Sequence, residues 1–293
     1  MVEAQAHRNR RALLGLIGAP IKSSASPAMH EAAGDALGIR CHYQLIEIAG
    51  ADRGELERLL YGVRRLGFSG VNVTFPYKEA VIGLIDELSP GARSVGAVNT
   101  IVVREGRLVG YNTDATGFRR AVRPFLESSG HGAVALLGAG GVGKAIAFAL
   151  AELSVADLRV FDTDSAKVAA LATLIGARAK VTPCASVAET IEGAVGLVNG
   201  TPVGMAPNRD TPAPPELLHA GLFVADAVYS PLWTPLLLSA RAAGARVMTG
   251  RDLAVHQAAD AFELFTGASP SIDVMGAAFD ALMEARDRTA HAA

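Results

Sequence analysis

The sequence reads as an α/β protein in two lobes, and three observations carry that reading. The stretch Ala133 to Asp162, AVALLGAGGVGKAIAFALAELSVADLRVFD, runs strand, glycine turn, helix, strand. Strand and helix signals alternate along most of the chain, with no internal repeat. After Gly250 the strand signals stop and two helical segments follow. A doubly wound domain does not need both, so they are expected to return to the first lobe. The expected division is 1–115, completed by 252–293, for an N-terminal α/β domain, and 116–251 for a doubly wound domain.

In order along the chain, Leu13 to Ile17 is an apolar run of strand length. Ser26-Pro27 then opens a helix, with serine as N-cap and proline at the first helical position, and Gly38 closes it. Tyr43 to Ile48 reads as a strand and Asp52 to Leu66 as a helix. Gly70 to Val73 is a strand, followed by a helix from about Pro76 to Leu88. Ala97 to Val103 and Leu108 to Tyr111 form a hairpin that turns at Glu105-Gly106. Asp114 caps a helix that runs to about Glu127, and Ser129-Gly130-His131-Gly132 breaks the chain before the next strand. The second half keeps a βαβ rhythm, with strands near Val160, Val181, Leu197, Val224 and Val247. The closing helices cover about Asp252 to Phe265 and Ile272 to Ala285.

Composition narrows the class. The 293 residues are 50% hydrophobic and only 19% charged, enough apolar material for sizeable cores. A net charge of −2 points away from nucleic acid and from anionic membrane surfaces. Cys41 and Cys184 are far apart and form no CxxC, which suits a reducing cytoplasm and two buried small hydrophobes better than a disulfide or zinc site. No apolar run reaches the ~18–20 residues of a membrane span. The opening MVEAQAHRNRRALLGLIG is basic and then apolar, but the apolar part runs quickly into Gly18-Ala19-Pro20. It reads as a tail and a first strand rather than a signal peptide.

The glycines after the strand at Ala133 follow the pattern Gly138-x-Gly140-x-x-Gly143. Gly138 permits a tight turn, Gly140 lets backbone approach a pyrophosphate, and Gly143 lets the helix pack close on the sheet. The helix N-terminus offers free N–H groups and a positive dipole end to phosphates. Gly138, Ala139, Gly140, Gly141, Val142 and Gly143 are the expected phosphate loop. Asp162 ends the next strand about twenty residues on, as a dinucleotide fingerprint requires. Its carboxylate can accept from both ribose hydroxyls of NAD and would repel the 2′-phosphate of NADP. A lone GxGxxG is also met in turns without a ligand; here the strand, the helix and the acid all agree.

Polar residues recur at strand ends in the first lobe. Thr74 and Lys78 fall where the strand at Gly70 hands over to the helix expected from Pro76. Lys78 would lie in that helix's first turn, the wrong end of the dipole for a cation, which favours its neutral, proton-accepting form. A carboxylate at Asp114 would orient the ammonium and share its proton, though an N-cap is the simpler role for an aspartate there. Asn99 offers a donor and an acceptor to a substrate hydroxyl. Ser24 and Ser26, before a helix N-terminus, suit a carboxylate, unless Ser26 merely caps. Gln257 shares a helix side with Asp260 and Leu264, and is otherwise an exposed helix residue. His30 and His256 lack partners at metal-ligand spacing and read as structural, so no metal is expected.

The segments Ser24-Ala25-Ser26-Pro27, Asn72-Val73-Thr74-Phe75-Pro76-Tyr77-Lys78, Gly96-Ala97-Val98-Asn99-Thr100, Asn112-Thr113-Asp114 and Gly138-Ala139-Gly140-Gly141 resemble the shikimate dehydrogenase family in order and spacing. So do Asn199-Gly200-Thr201-Pro202-Val203-Gly204-Met205, Asp226-Ala227-Val228-Tyr229 and Gln257-Ala258-Ala259-Asp260-Ala261-Phe262. The resemblance runs from about Leu13 to Gly267. It implies that Lys78 and Asp114 are the catalytic pair. It implies that Ser24, Ser26, Thr74, Asn99, Tyr229 and Gln257 hold the substrate's carboxylate and hydroxyls, and that Ala227 and Gly250 lie near the nicotinamide. It also implies that members favouring quinate tend to carry threonine at the place of Ser26, and those favouring shikimate serine.

One place departs from the family's NADP-using members, which carry an Asn-Arg-Thr-like segment after the second nucleotide strand. Here that place reads Phe161-Asp162-Thr163-Asp164, similar to the NAD-preferring quinate/shikimate dehydrogenase branch. The expected activity is therefore NAD-dependent interconversion of shikimate and 3-dehydroshikimate, with quinate a weaker substrate. The expected partner is a small polyol carboxylate alone, bound by a monomer or homodimer in the cytoplasm. The rivals are an NADP-linked biosynthetic enzyme and a silent nucleotide-binding module, the latter opposed by the presence of both Lys78 and Asp114.

Overall fold

The computed structural model describes residues 10–130 and 132–292; residues 1–9, His131 and Ala293 lie outside them. The chain forms two units, one of residues up to Thr113 together with those from Val255, the other Asp114–Ala254.

The first unit begins with β1 (Arg11–Gly18), α1 (Ser26–Leu37), β2 (Arg40–Glu47), α2 (Arg53–Arg65) and β3 (Gly70–Val73). It continues with β4 (Glu87–Leu88), α3 (Pro90–Val95), β5 (Thr100–Arg104) and β6 (Arg107–Tyr111). Its sheet runs β2-β1-β3-β5-β6-β4. The pairs β2–β1, β1–β3 and β6–β4 are parallel, and the hairpin β5–β6 and its seam with β3 are antiparallel. Asp52 caps α2 by accepting from the Glu55 amide at 2.8 Å. Leu56, Leu60 and Val63, three and four apart, then bury one face of α2 on Ile17, Val71, Val73 and Ile101.

Two local expectations fail in this unit. Ser26 does not cap α1: Ala25 holds that position without a side-chain bond, and Pro27 sits inside the first turn. The first helical bond closes on the Ala25 carbonyl, from the Met29 amide at 3.2 Å, so Ser26 is already inside the helix, and its own amide donates to Ser24 Oγ at 3.2 Å. The helix expected over 76–88 is likewise absent, replaced by turns, one 3₁₀ turn at Ile82–Leu84 and the short β4. The Lys78 carbonyl, which a helix would give to residue 82, accepts from the Val98 amide at 2.8 Å. The Tyr77 hydroxyl is held between the Ile48 carbonyl (3.2 Å) and the Ala51 amide (2.9 Å). Pairing across the chain overrides local propensity here. With no helix at Lys78, the dipole argument made for its proton falls.

The second unit opens in α4 (Thr113–Ser129), which carries Asp114 in its first turn rather than at the cap. Then follow β7 (Ala133–Leu137), α5 (Gly141–Glu152), β8 (Asp157–Phe161), α6 (Ser165–Ile175), β9 (Lys180–Pro183) and α7 (Val187–Ile191). The unit closes with β10 (Ala194–Asn199), β11 (Phe223–Asp226), α8 (Pro235–Ala242) and β12 (Arg246–Met248). Its six strands are parallel throughout, in the order β12-β11-β10-β7-β8-β9. This is the doubly wound arrangement, and its order reverses between β7 and β10. Leu137, Leu197, Val224, Leu236 and Leu237 lie in its core.

The last helices are α9 (Gly250–Thr266) and α10 (Ile272–Ala292). From Val255 on they belong to the first unit, where α10 packs on α1 and buries Met275, Phe279 and Met283. None of the described helices is long and apolar enough to cross a membrane. Cys41 and Cys184 are free and half-buried rather than buried. The Cys41 thiol is pushed up to about 12, first by burial and then by Glu31 and Asp35, so it stays protonated and inert.

His30 is fully buried on α1 against the rings of Tyr43, Phe262 and Phe265. Neither ring nitrogen has a hydrogen-bond partner among the described residues. Burial pushes the imidazole down from 6.5 to about 3. The unfolded chain therefore takes up a proton near pH 6.5 that the folded chain refuses until about pH 3. Folding loses roughly 1.4 kcal/mol per pH unit across that window as pH falls. His30→Leu should remove this loss, so the Tm of the variant relative to the unmodified protein should climb as pH goes from 7 to 5. A Tm difference that is flat over that range would contradict it.

Candidate active site

In the first unit, β1 hands over to a loop that carries Ser24 and Ser26, both half-buried. Ser24 Oγ accepts from the Ser26 amide and donates to Ser26 Oγ at 3.2 Å, which leaves the Ser26 hydroxyl proton to point at a ligand. The loop is tied to α10, where Arg286 Nη1 donates to the Ser23 carbonyl at 2.8 Å. Gln257 is half-buried on α9.

Thr74 follows β3, its amide bonded to the Ile17 carbonyl at 2.9 Å, and Lys78 follows in the turns beyond, half-buried. Asn99, just before β5, is 3% exposed and committed on both ends. Its Oδ1 accepts from the Thr113 amide at 2.7 Å, and one Nδ2 hydrogen goes to Thr113 Oγ1 at 2.9 Å. One amide hydrogen is left for a substrate hydroxyl. Two consecutive residues thus hold the chain on both sides: Val98 holds Lys78 by its carbonyl, and Asn99 holds Thr113, the neighbour of Asp114, by its amide.

Behind Asn99 stands a buried polar chain that sequence reasoning did not pick out. Tyr43 Oη donates to Asn72 Oδ1 at 2.8 Å, Asn72 Nδ2 donates to Thr100 Oγ1 at 3.0 Å, and Thr100 Oγ1 donates to Asn99 Oδ1 at 3.1 Å. The signal was present: Asn72 interrupts an apolar strand whose four residues are all buried, and such a side chain needs partners.

In the second unit, Asp114 is 8% exposed in the first turn of α4, where a carboxylate faces the positive end of the helix dipole. Gly138, Ala139 and Gly140 turn out of β7, and Gly141, Val142 and Gly143 form the first turn of α5. Gly138 has φ +94°, and a Cβ on Gly143 would lie 2.1 Å from the Gly138 carbonyl oxygen, so the loop closes on itself only with glycine at both places. A Cβ on Gly140 would meet nothing within 4 Å. With φ −75° the Gly140 backbone suits any residue, so what its lack of a side chain provides is open space over an uncapped helix end. That space, the free N–H groups and the absence of a side-chain cap fit a dinucleotide pyrophosphate. Asp162 stands beside it, Oδ2 accepting from the Ala139 amide at 2.8 Å and Oδ1 from the Asp164 amide at 2.9 Å. Each oxygen keeps a lone pair for a ribose hydroxyl.

On the other side of β7 the strands end abreast: Leu137 pairs with Asn199, and Asn199 with Asp226. Asp226 is 1% exposed, and burial pushes its carboxyl up to about 6 against the hydrogen bonds from Thr234, Val228 and Asn199 that favour its ionised form. Ala227 and Tyr229 follow it, half-buried, and a Cβ on Gly250 would lie 2.3 Å from the Val228 carbonyl oxygen. Among the described residues no cluster of His, Cys, Asp and Glu is placed to hold a metal ion.

A parallel doubly wound sheet with a glycine loop and an acid at the next strand end, joined in one chain to a mixed-sheet unit carrying a lysine, hydroxyls and amides, defines a two-unit dehydrogenase. Residues 16–101 match the family described as "Shikimate dehydrogenase substrate binding domain", and residues 249–278 match "Shikimate 5'-dehydrogenase C-terminal domain". The chain is 44% identical over 275 residues to a quinate/shikimate dehydrogenase (NAD(+)) of Corynebacterium efficiens, covering 91% of this chain and 97% of that one. It is 43% identical over 265 residues to a shikimate dehydrogenase (NADP(+)) of Streptomyces avermitilis, covering 88% and 91%. The solved structure of quinate dehydrogenase from Corynebacterium glutamicum in complex with NAD superposes with a TM-score of 0.87 at 40% identity, over 93% of this chain and all of that one. The chain belongs to the shikimate dehydrogenase family and is an oxidoreductase.

Proposed function

We propose that this protein is an NAD-dependent dehydrogenase that interconverts shikimate and 3-dehydroshikimate. Overall identity does not choose the cofactor, since an NAD-linked and an NADP-linked relative match almost equally. The observation that carries the choice is Asp162, its carboxylate bonded to the glycine loop where a ribose would lie. In this reading the first unit binds the polyol carboxylate and the second the dinucleotide, whose nicotinamide, when bound, supplies the hydride acceptor or donor.

Ser24, Ser26 and Tyr229 hold the substrate carboxylate, and Thr74, Asn99 and Gln257 hold its hydroxyls. Lys78 Nζ takes the proton of the C3 hydroxyl as the C3–O bond becomes a carbonyl, and returns it in the reverse direction. Asp114 orients that amine. Ala227 and Gly250 border the nicotinamide. The reading needs neither a metal nor a nucleic acid, and one chain supplies every group it names. An NAD-linked enzyme with two free cysteines suits the cytoplasm.

The test is a comparison of cofactors with shikimate as substrate. NAD should exceed NADP by at least about tenfold in kcat/KM, the equivalent of ~1.4 kcal/mol, because a carboxylate faces the 2′-phosphate. Asp162→Ser combined with Thr163→Arg should narrow that gap. A preference for NADP in the unmodified protein would refute the role given to Asp162.

A further inference from the structure

Asn199 and Asp226 stand in two of the family-like segments, yet no substrate or cofactor role above uses them. Both end parallel strands, and both side chains are buried, at 0% and 1% exposure. Asp226 is a carboxylate held by hydrogen-bond donors from three places. Its Oδ1 accepts from Asn199 Nδ2 (2.9 Å) and the Val228 amide (2.9 Å), and its Oδ2 from Thr234 Oγ1 (2.7 Å). Burying a carboxylate is costly unless its oxygens are so satisfied.

Asn199 carries the connection onward. Its Oδ1 accepts from the Thr201 amide (3.0 Å) and Thr201 Oγ1 (2.7 Å), and Thr201 Oγ1 accepts from the Val203 amide (3.1 Å). Thr201 in turn packs over the glycine loop: a Cβ on Gly138 would lie 2.8 Å from its Cγ2. Main-chain bonds stitch the same two segments together, Ala227 to Asn199 at 3.0 Å and Ala206 to Ser230 at 2.9 Å. One buried carboxylate thereby joins the glycine loop, the segment 199–203, the segment 227–229 and Thr234, the N-cap of α8.

The strand order says which part of a dinucleotide these segments would meet. The glycine loop follows β7, and Asp162 ends β8 on one side of it. A ligand with its pyrophosphate on the loop and its adenosine ribose on Asp162 must extend its other half over the ends of β10 and β11. Those ends are Asn199 and Asp226.

We propose that Asp226, acting through Asn199, is a positioning residue for the nicotinamide half of the dinucleotide. It sets the segments 199–203 and 227–229 in register and leaves the adenosine half to Asp162 and the glycine loop. The proposal rests on the dinucleotide reading above.

The test is calorimetric binding of two probes, NAD and ADP-ribose, to the full chain, with Tm measured in parallel. ADP-ribose keeps the adenosine and pyrophosphate but lacks the nicotinamide. Asp226→Ala leaves three donors without their acceptor. It should raise Kd for NAD by about tenfold or more and that for ADP-ribose by no more than about threefold. Asp226→Asn should keep both within about threefold, because its Oδ1 still accepts from Asn199 and Val228 and its amide donates to Thr234. If Asp226→Ala does not fold, Asn199→Ala is read the same way, with NAD weakened and ADP-ribose spared. A folded alanine variant that binds NAD as well as the unmodified protein overturns the proposal, as does an equal loss of both probes. If the unmodified protein binds neither probe, the dinucleotide reading itself falls, and the proposal with it.

Discussion

Replacing Lys78 with alanine is expected to lower kcat by roughly 10²–10⁴-fold, the usual worth of a positioned acid–base group. KM for NAD should barely move, because Lys78 belongs to the first unit and the glycine loop and Asp162 to the second. The fold should tolerate the change. The Lys78 main-chain carbonyl is bonded to the Val98 amide, and alanine keeps that bond. Asp114→Asn should also cut kcat. The double variant should lose less than the sum of the two logarithmic losses, since an orienting carboxylate has nothing left to orient once the amine is gone. Steady-state kinetics, with circular dichroism to confirm folding, decides the matter. A folded Lys78→Ala protein that keeps most of its activity would eliminate the proposed proton transfer.

The second large effect expected is the choice of polyol. Shikimate has a flat C1 bearing its carboxylate, whereas quinate has a tetrahedral C1 with an extra hydroxyl. In the proposed pose that end faces Ser24, Ser26 and Tyr229. Ser24 Oγ accepts from the Ser26 amide and donates to Ser26 Oγ, so the Ser26 hydroxyl proton is not taken by Ser24 and can turn to meet either carboxylate. Serine lacks the methyl that would shape the site around a puckered ring. Shikimate should therefore be the better substrate by about 10–200-fold in kcat/KM at saturating NAD, the range that one methyl-sized difference of ~1–3 kcal/mol supplies. Ser26→Thr should shift the ratio toward quinate. Equal or higher kcat/KM for quinate in the unmodified protein would overturn this preference and leave the family membership untouched.

Much of the fold was legible because its signals act within a few residues. The run from Ala133 to Asp162 declares its strand by an unbroken apolar stretch and its turn by glycines. Its helix is declared by an Ala- and Leu-rich segment, and the structure places β7, α5 and β8 there in that order. Asp52 and Gly38 mark their helix ends by cap chemistry that needs no distant partner. The residues of the candidate site could be picked out by motif, since a phosphate loop and an acid at a strand end have a fixed sequence spacing.

What only the tertiary structure decided is where long-range partners overrule or complete those signals. The segment after Pro76 has the length and composition of a helix, but the Lys78 carbonyl is claimed by Val98, twenty residues on, and the Tyr77 hydroxyl by Ile48 and Ala51. Ser26 lost the cap because the first helical bond closes on the Ala25 carbonyl, one residue earlier. Asn72 and Asp226 look alike in sequence, each a polar residue in an apolar strand. Their partners, Thr100 for one and Asn199 with Thr234 for the other, come from strands and turns set beside them by sheet register. A buried polar atom must find its hydrogen bond wherever the packed chain offers one, and that address is written in the arrangement of the strands, not in neighbouring residues.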